Sequence, residues 1–412
     1  MRWFDRVLAF LPIFLILVTS RGVLNASSIE LKAGAYHYPL ATWEVSHFMG
    51  KWFYKAYDIL PGDHRNIEQR RSEVMEFMTM ADEVNRLEWD LRRAVAHSQD
   101  EESIKTEKKV VELRAELARR SARVEEILEG EISSTLKKLD FASRVGVIFP
   151  PVDFAFDQPP KLLIVSPRSR IETTDTVLLH PKMEMTDIEA LERNVMEDGD
   201  LSALIEDTGG VSFYPSVMSN TYGLRGTLSV ASHEWLHQYL FFRPLGRNYV
   251  SSSEMSTLNE TLANMAGEEI GDLTYEVITG EKVMIYQPAE DPSEPPSFDF
   301  NKEMRKTRQK VDELLSGGKV DDAEAYMEER RLVFVEEGYY IRKLNQAYFA
   351  FHGTYADTPA STSPIHAELQ MVRTNSASVA DFIKTVSRFG SYADFKAYAT
   401  TLSVEPTTSS SP

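Results

Sequence analysis

From Ile67 the apolar residues recur at coiled-coil spacing: Ile67, Val74, Phe77, Ala81, Val84, Leu87, Leu91 and Val95, with Glu, Arg and Asp filling most positions between. After the polar break HSQDEES the pattern resumes with Val110, Leu113, Leu117, Val124, Ile127 and Leu136. Each run lays one apolar stripe along a long helix. The short polar turn between them predicts an antiparallel hairpin. Its charged face reads as solvated with no binding patch, and the hairpin is a scaffold packed on the rest of the chain, a partner-binding arm or a wall beside a site.

The pattern changes on both sides of this hairpin. The aromatic-rich stretch from Ser27 to Pro61 predicts a short amphipathic helix docked on the body. Between Arg144 and Pro181 the runs VGVIF, KLLIVS and ETTDTVLLHP are rich in β-formers and broken by Pro, so they predict strands. A helix TDIEALERNVMED follows, capped by Thr186 or Asp187. Then comes VSFYPSVM, where Pro215 demotes Val211 to Val217 to an edge strand whose free N–H and C=O groups can pair with an extended peptide. Farther on, Met304, Val311 and Leu314 face Ala323, Tyr326 and Val333 across a turn at Ser316-Gly317-Gly318. The second arm of that hairpin is expected to continue to His352. One more helix pair turns near Gly390.

The chemistry concentrates in Gly226 to Asp272. Leu228 to Phe242 holds no Gly or Pro, Thr227 is a candidate N-cap, and Arg243-Pro244 with Gly246 stops the helix. Leu228, Ala231, Trp235 and Tyr239 supply a face to bury. Within it lies His233-Glu234-Trp235-Leu236-His237. Residues four apart share a helix face, so both imidazoles can reach one metal ion, and Glu234 stands where it can take a proton from water at that metal. Two histidines leave the site short of a ligand. The next helical pattern, with Leu258, Leu262, Met265 and Ala266 on its apolar side, offers Glu260. Glu254 in a Ser-rich loop and the Glu268-Glu269 pair are the other carboxylates within reach. Asn264, one turn past Glu260, is a candidate support for a zinc histidine.

HEWLHQ followed by NETLA resembles the gluzincin zinc metallopeptidases, and most of all the bacterial zinc aminopeptidases of the HELAHQ…FNESFA type. The likeness extends weakly into MVRTNSASVADFIKTV and SYADFKAYA. Two features depart from that pattern: a longer connection from His237 to Glu260, and Asn264 where many gluzincins carry Asp. The resemblance implies one zinc ion on His233, His237 and Glu260, Glu234 as the catalytic base, a peptide substrate and aminopeptidase-like cleavage. It also implies that the strand before the zinc helix receives the substrate. Such a reaction needs a donor for the developing oxyanion, and Tyr348, His352, Tyr355 and His366 stand in the region where one often sits.

Composition narrows the rest. A net charge of −18 argues against a nucleic-acid partner. The absence of cysteine removes disulfides, thiol catalysis and Cys-ligated zinc. The basic start before the apolar run Val7 to Ser20 reads as a signal peptide or uncleaved signal-anchor, which would put the rest of the chain outside the cytoplasm, secreted or membrane-tethered. His37, His47, His64, His97 and His180 have no motif around them and read as structural or solvated. The expected fold is α+β and mainly helical: a zincin-like catalytic unit with a small mixed sheet, plus the long antiparallel hairpin. Its parts are 1–26 (signal or anchor), 27–143 (helical with the hairpin), 144–220 (small α/β part with a substrate-edge strand), 221–404 (helical zinc region) and 405–412 (disordered tail). The competing reading is an exported, non-catalytic helical scaffold or binding protein with a vestigial metal site.

Overall fold

A computed structural model describes residues 27–40, 42–43, 67–94, 101–197, 199–283 and 298–404. The N-terminal apolar run, the predicted hairpin turn at 95–100, the C-terminal tail, and His47, His64 and His97 lie outside them. In chain order the elements are α1 (Ser28–Ala33), α2 (Ile67–Ala94), α3 (Glu101–Lys138), β1 (Phe154–Phe156), β2 (Lys161–Pro167), β3 (Asp175–Leu179), α4 (Met185–Met196) and β4 (Leu201–Asp207). There follow β5 (Gly210–Val211), β6 (Ser216–Met218), α5 (Gly223–Phe241), α6 (Pro244–Arg247), α7 (Ser253–Thr279), α8 (Phe300–Ser316), α9 (Val320–Glu336), α10 (Gln346–His352), α11 (Ile365–Thr374), α12 (Val379–Val386) and α13 (Tyr392–Val404). The protein is mainly helical with small mixed sheets, an α+β composition. None of the described helices is long and apolar enough to cross a membrane.

The principal core joins α2 and α3 to β1, β6, α5, α7 and the three C-terminal helices. Val74, Phe77, Ala81, Val84, Val110, Leu117, Val124 and Leu136, all from the spaced stripe, are buried in it. Ion pairs Lys109–Glu83 and Arg120–Glu76 link the two helices with opposite sequence order, so α2 and α3 run antiparallel.

Two three-stranded sheets sit beside this core. In the first, β2 is central and antiparallel to both β3 and β4, with Leu163 opposite Val177 and Ile205. Leu163 and Val165 face α1 and α4; Ile164, pointing the other way, meets Leu204 and Ala347 of α10. Alternation along one strand thus fills two layers. A buried carboxylate fastens this unit. Glu192 of α4 accepts from the Ile205 N–H at 2.7 Å and pairs with Arg342 and Lys343. In the second sheet β6 is central, parallel to β1 and antiparallel to β5.

Several expectations are corrected here. Val145 to Phe149 forms no strand: Val147 bonds back to Ser143 through its carbonyl and its N–H in a local turn, and Val145, Val147 and Phe149 stay exposed. The run from Val211 to Val217 is not one edge strand. It doubles back through 212–215, so Ser216–Met218 lies inside the sheet and only Gly210–Val211 remains at its edge. Leu201–Asp207, not expected as a strand, is β4. Helix α4 is preceded by Glu184 rather than capped by Thr186 or Asp187. Helix α9 stops at Glu336, and α10 is a separate helix capped by Asn345. The turn Ser316-Gly317-Gly318 and the break near Gly390 fall between helices as expected.

Candidate metal centre and catalytic cleft

Helix α5 begins four residues before the expected cap. Tyr222 precedes it, Thr227 is buried within it, and burial of Leu224 offsets the helix-weakening effect of Gly223 and Gly226. Pro244 sits at the start of α6, just past its end. Leu228, Ala231, Trp235 and Tyr239 are all buried, and Trp235 Nε1 donates to the Pro150 carbonyl at 2.8 Å. The Gln238 amide donates to the Phe213 carbonyl and to Ser216, which ties the β5–β6 connection to the helix. The polar face of α5 is thereby aimed at a cleft.

Helix α7 lies along α5 closer than ordinary side chains permit. A Cβ on Gly267 would stand 2.9 Å from the His233 Cα, and one on Gly271 2.7 Å from the Ser229 Cα. These two glycines let the backbones approach, and the approach carries Glu260 to the histidines. Glu260 Oε2 is 3.6 Å from His233 Nε2 and 3.3 Å from His237 Nε2, and the two imidazole Nε2 atoms are 2.9 Å apart. A tetrahedral ion with ligands at about 2.0–2.1 Å holds them roughly 3.3 Å from one another. The three separations bracket that figure, so His233, His237 and Glu260 can hold a metal ion. Among the described residues they are the one group of three or more such donors converging in this way.

The outer contacts fix this donor set. Asn259 Oδ1 lies 2.9 Å from His237 Nδ1; with that nitrogen donating to the amide, Nε2 is left free for a metal. Tyr249 donates its hydroxyl proton to Glu260 Oε1 at 2.6 Å, which leaves Oε2 turned to the histidines. Asn264 does not take the supporting role expected of it. Its amide donates to Asp357. Nearby, Thr261 Oγ1 accepts from the Ala356 N–H at 2.9 Å, so α7 grips the segment that carries Tyr355. The rival carboxylates stand elsewhere: Glu254 is exposed in the first turn of α7, where Ser252 is the cap, and not in a loop. Glu268 is exposed and Glu269 pairs with Arg373. Glu260 is two turns into the helix rather than at its start.

Burial raises the pKa of Glu234 against the opposing pull of both histidines, with Glu260 adding to the rise. At His237 burial works against the charged ring, but Glu260 outweighs it and pushes the pKa up to about 9. Burial alone would raise Glu260 too; the imidazoles dominate and hold it well below the usual carboxylate range. Two carboxylates in a buried space thus favour positive charge between them. Gly210, at the edge of the sheet, leaves room for Glu234: a Cβ there would stand 2.6 Å from Oε1. All four residues open into a cleft of about 2450 Å³, lined also by Gly210, Val211, Tyr249 and Tyr355.

Of the four oxyanion candidates, Tyr355 is the one brought to the centre. Its ring lies 6.3 Å from that of His233, and the Glu260 charge together with burial holds its hydroxyl protonated. Tyr348 and His352 pack on each other, with ring centroids 4.2 Å apart, and burial lowers the His352 pKa to about 4. Neither they nor His366 line the cleft. The His37 and His180 rings meet only the nearby Tyr38 carbonyl and Lys182 N–H, while their backbones join the two segments: His37 bridges to Leu179 and the His180 N–H donates to the Tyr36 carbonyl. Tyr249 and Asn259 were not singled out from sequence; Asn259, next to Glu260, could have been found by asking what orients the histidines. No family model, curated protein or solved structure matches the chain.

Proposed function

We propose that this protein is a zinc-dependent peptide hydrolase of gluzincin type acting outside the cytoplasm. The observation that carries the reading is the buried Glu234 carboxyl sharing a cleft with the convergent His233, His237 and Glu260. Likeness of HEWLHQ…NETLA to the gluzincins supports zinc, and the zincin-like description of the α5–α7 unit, on the same grounds. Aminopeptidase-like cleavage is proposed from that resemblance alone, and the extracytoplasmic site from the apolar N-terminal run. In this reading the α2–α3 pair is the long scaffold hairpin behind the catalytic unit.

Zinc, when bound, supplies a Lewis acid that polarises the scissile carbonyl and acidifies water. The remaining work falls to the chain. Glu234, its basicity raised by burial, accepts a proton from the attacking water and delivers it to the leaving amine. Tyr355 offers its hydroxyl proton to the oxygen where negative charge develops. Asn259 and Tyr249 keep His237 and Glu260 in one orientation through the cycle. An extended substrate pairs with Gly210–Val211, the edge residues that abut Glu234.

The test is metal analysis joined to peptide turnover. Purified protein should contain one zinc per chain and lose peptide cleavage on chelation. Glu234→Gln should keep the zinc and lose cleavage by at least ~100-fold, because an amide accepts no proton. Turnover near wild type in that variant rules out Glu234 as the base. Wild-type protein that holds zinc and cleaves no peptide in a broad library points to the scaffold reading.

A further inference from the structure

The mouth of the cleft carries a contiguous apolar rim. Phe149, 56% exposed, and Phe242, 44% exposed, line it together with Phe241, and Val145, Val147 and Val250 stand beside them. The Phe149 and Phe242 rings are 5.1 Å apart and those of Phe241 and Phe242 5.2 Å, so the three form a ready-made aromatic wall. Single exposed hydrophobic residues need no explanation; a contiguous patch in a cleft marks a binding surface.

Helix geometry ties this wall to the chemistry. His233, His237 and Phe241 succeed one another four residues apart on α5, and Glu234, Gln238 and Phe242 form the adjacent row. Four residues advance about 6 Å along a helix, whereas an extended peptide advances about 3.3 Å per residue. Phe241 and Phe242 stand seven and eight residues past Glu234, about 10–12 Å on, so a peptide lying along α5 with its cleaved bond at Glu234 sets a side chain against the wall three or four residues away.

We infer that Phe149, Phe241 and Phe242 form a subsite selecting peptides with a bulky apolar side chain three or four positions from the cleaved bond. This rests on the reading of the site as a peptide hydrolase. A Leu or Phe side chain gains burial and ring contacts there, while a charged one exchanges hydration for carbon.

The experiment uses the full zinc-loaded chain and quenched-fluorescent peptides in which Ala, Leu, Phe and Asp are placed in turn at the third and fourth positions on either side of the bond. One position should show a preference of about 10- to 100-fold in kcat/KM for Phe or Leu over Ala. In Phe149→Ser/Phe242→Ser the ratio should fall to within about 3-fold, with zinc content and circular dichroism unchanged. A second measurement is independent of turnover: fluorescence anisotropy of a labelled Phe-containing peptide against its Ala counterpart on Glu234→Gln, with and without the two Phe substitutions. The same preference should appear and then vanish. Cleavage without preference at all four positions, or a preference that survives the Phe substitutions, overturns the subsite and leaves the hydrolase reading intact. Selective binding lost on Phe substitution, in a protein that cleaves nothing, sustains the subsite and removes the hydrolase; equal binding of both peptides overturns the subsite.

Discussion

The protein contains two lengthwise helix pairs built on opposite terms. Helices α2 and α3 bury large apolar residues such as Phe77, Val124 and Leu136 in the principal core, and their ion pairs stand at the surface. Helices α5 and α7 meet through Gly267 and Gly271, and what they enclose is polar: two imidazoles, two carboxylates and Asn259. In the first pair the ion pairs that cross between the helices are solvated and replaceable, and the buried Glu125 and Glu129 of α3 accept from the Phe156 and Phe154 N–H groups of β1. In the second the polar groups are buried, so each needs a partner or a cation. At the α5–α7 seam the close backbone approach at Gly267 and Gly271 brings those polar groups within reach of one another.

The contrast breaks most sharply at Glu260. Glu260→Ala should lower zinc affinity by more than ~100-fold, as one of three protein ligands is lost. Glu254→Ala and Glu268→Ala should leave it within about 2-fold, since neither belongs to the converging donors. Competition against a chromogenic chelator measures all three; a Glu260→Ala protein as tight as wild type would put the third ligand elsewhere. Asn259→Ala should weaken zinc about 10- to 100-fold by freeing the His237 ring, whereas Asn264→Ala should leave zinc affinity alone and act on the Tyr355 segment through Asp357. Equal effects of the two would mean that Asn259 does not orient the ligand.

Gly267→Ala tests the approach itself. The added carbon meets backbone at 2.9 Å, and overpacking of this kind costs about 1–3 kcal/mol. Denaturant unfolding should show that loss, with weaker zinc alongside as Glu260 moves off the histidines; unchanged values for both would show that the contact is not tight. The smallest effect belongs to the other pair. Arg120→Ala removes surface ion pairs to Glu116 and Glu76 and should shift Tm by less than about 2 °C. A larger shift in a thermal melt would make that face more than a solvated one.

What could be read beforehand follows the same division. Heptad spacing exposes α2 and α3 because their packing is written in residue type, and HEWLH exposes the histidines because ligand spacing is local to one helix. Glu260 was reachable through its NETLA context. Tyr249 and the Tyr355 clamp were not, for their contacts cross to Glu260 and α7 by tertiary packing alone. Val145 to Phe149 misled for a related reason: strand-forming residues make a strand only where a neighbour accepts their hydrogen bonds. β4 was missed because Leu201–Asp207 runs Ala203-Leu204-Ile205 together and so lacks the apolar–polar alternation of a half-buried strand, although Gly199-Asp200 and Gly209-Gly210 bracket it.

Helix α7 carries, within thirteen residues, Asn259, Glu260, Thr261, Asn264, Gly267 and Gly271, each committed to a different neighbour. A small rotation of that one helix would disturb the ligand set, the Tyr355 segment and the fit to α5 together. Substitutions along it are therefore not independent trials. Pairs of changes on α7 should combine non-additively, whereas a change at an exposed position such as Glu268, which holds no such commitment, should act alone.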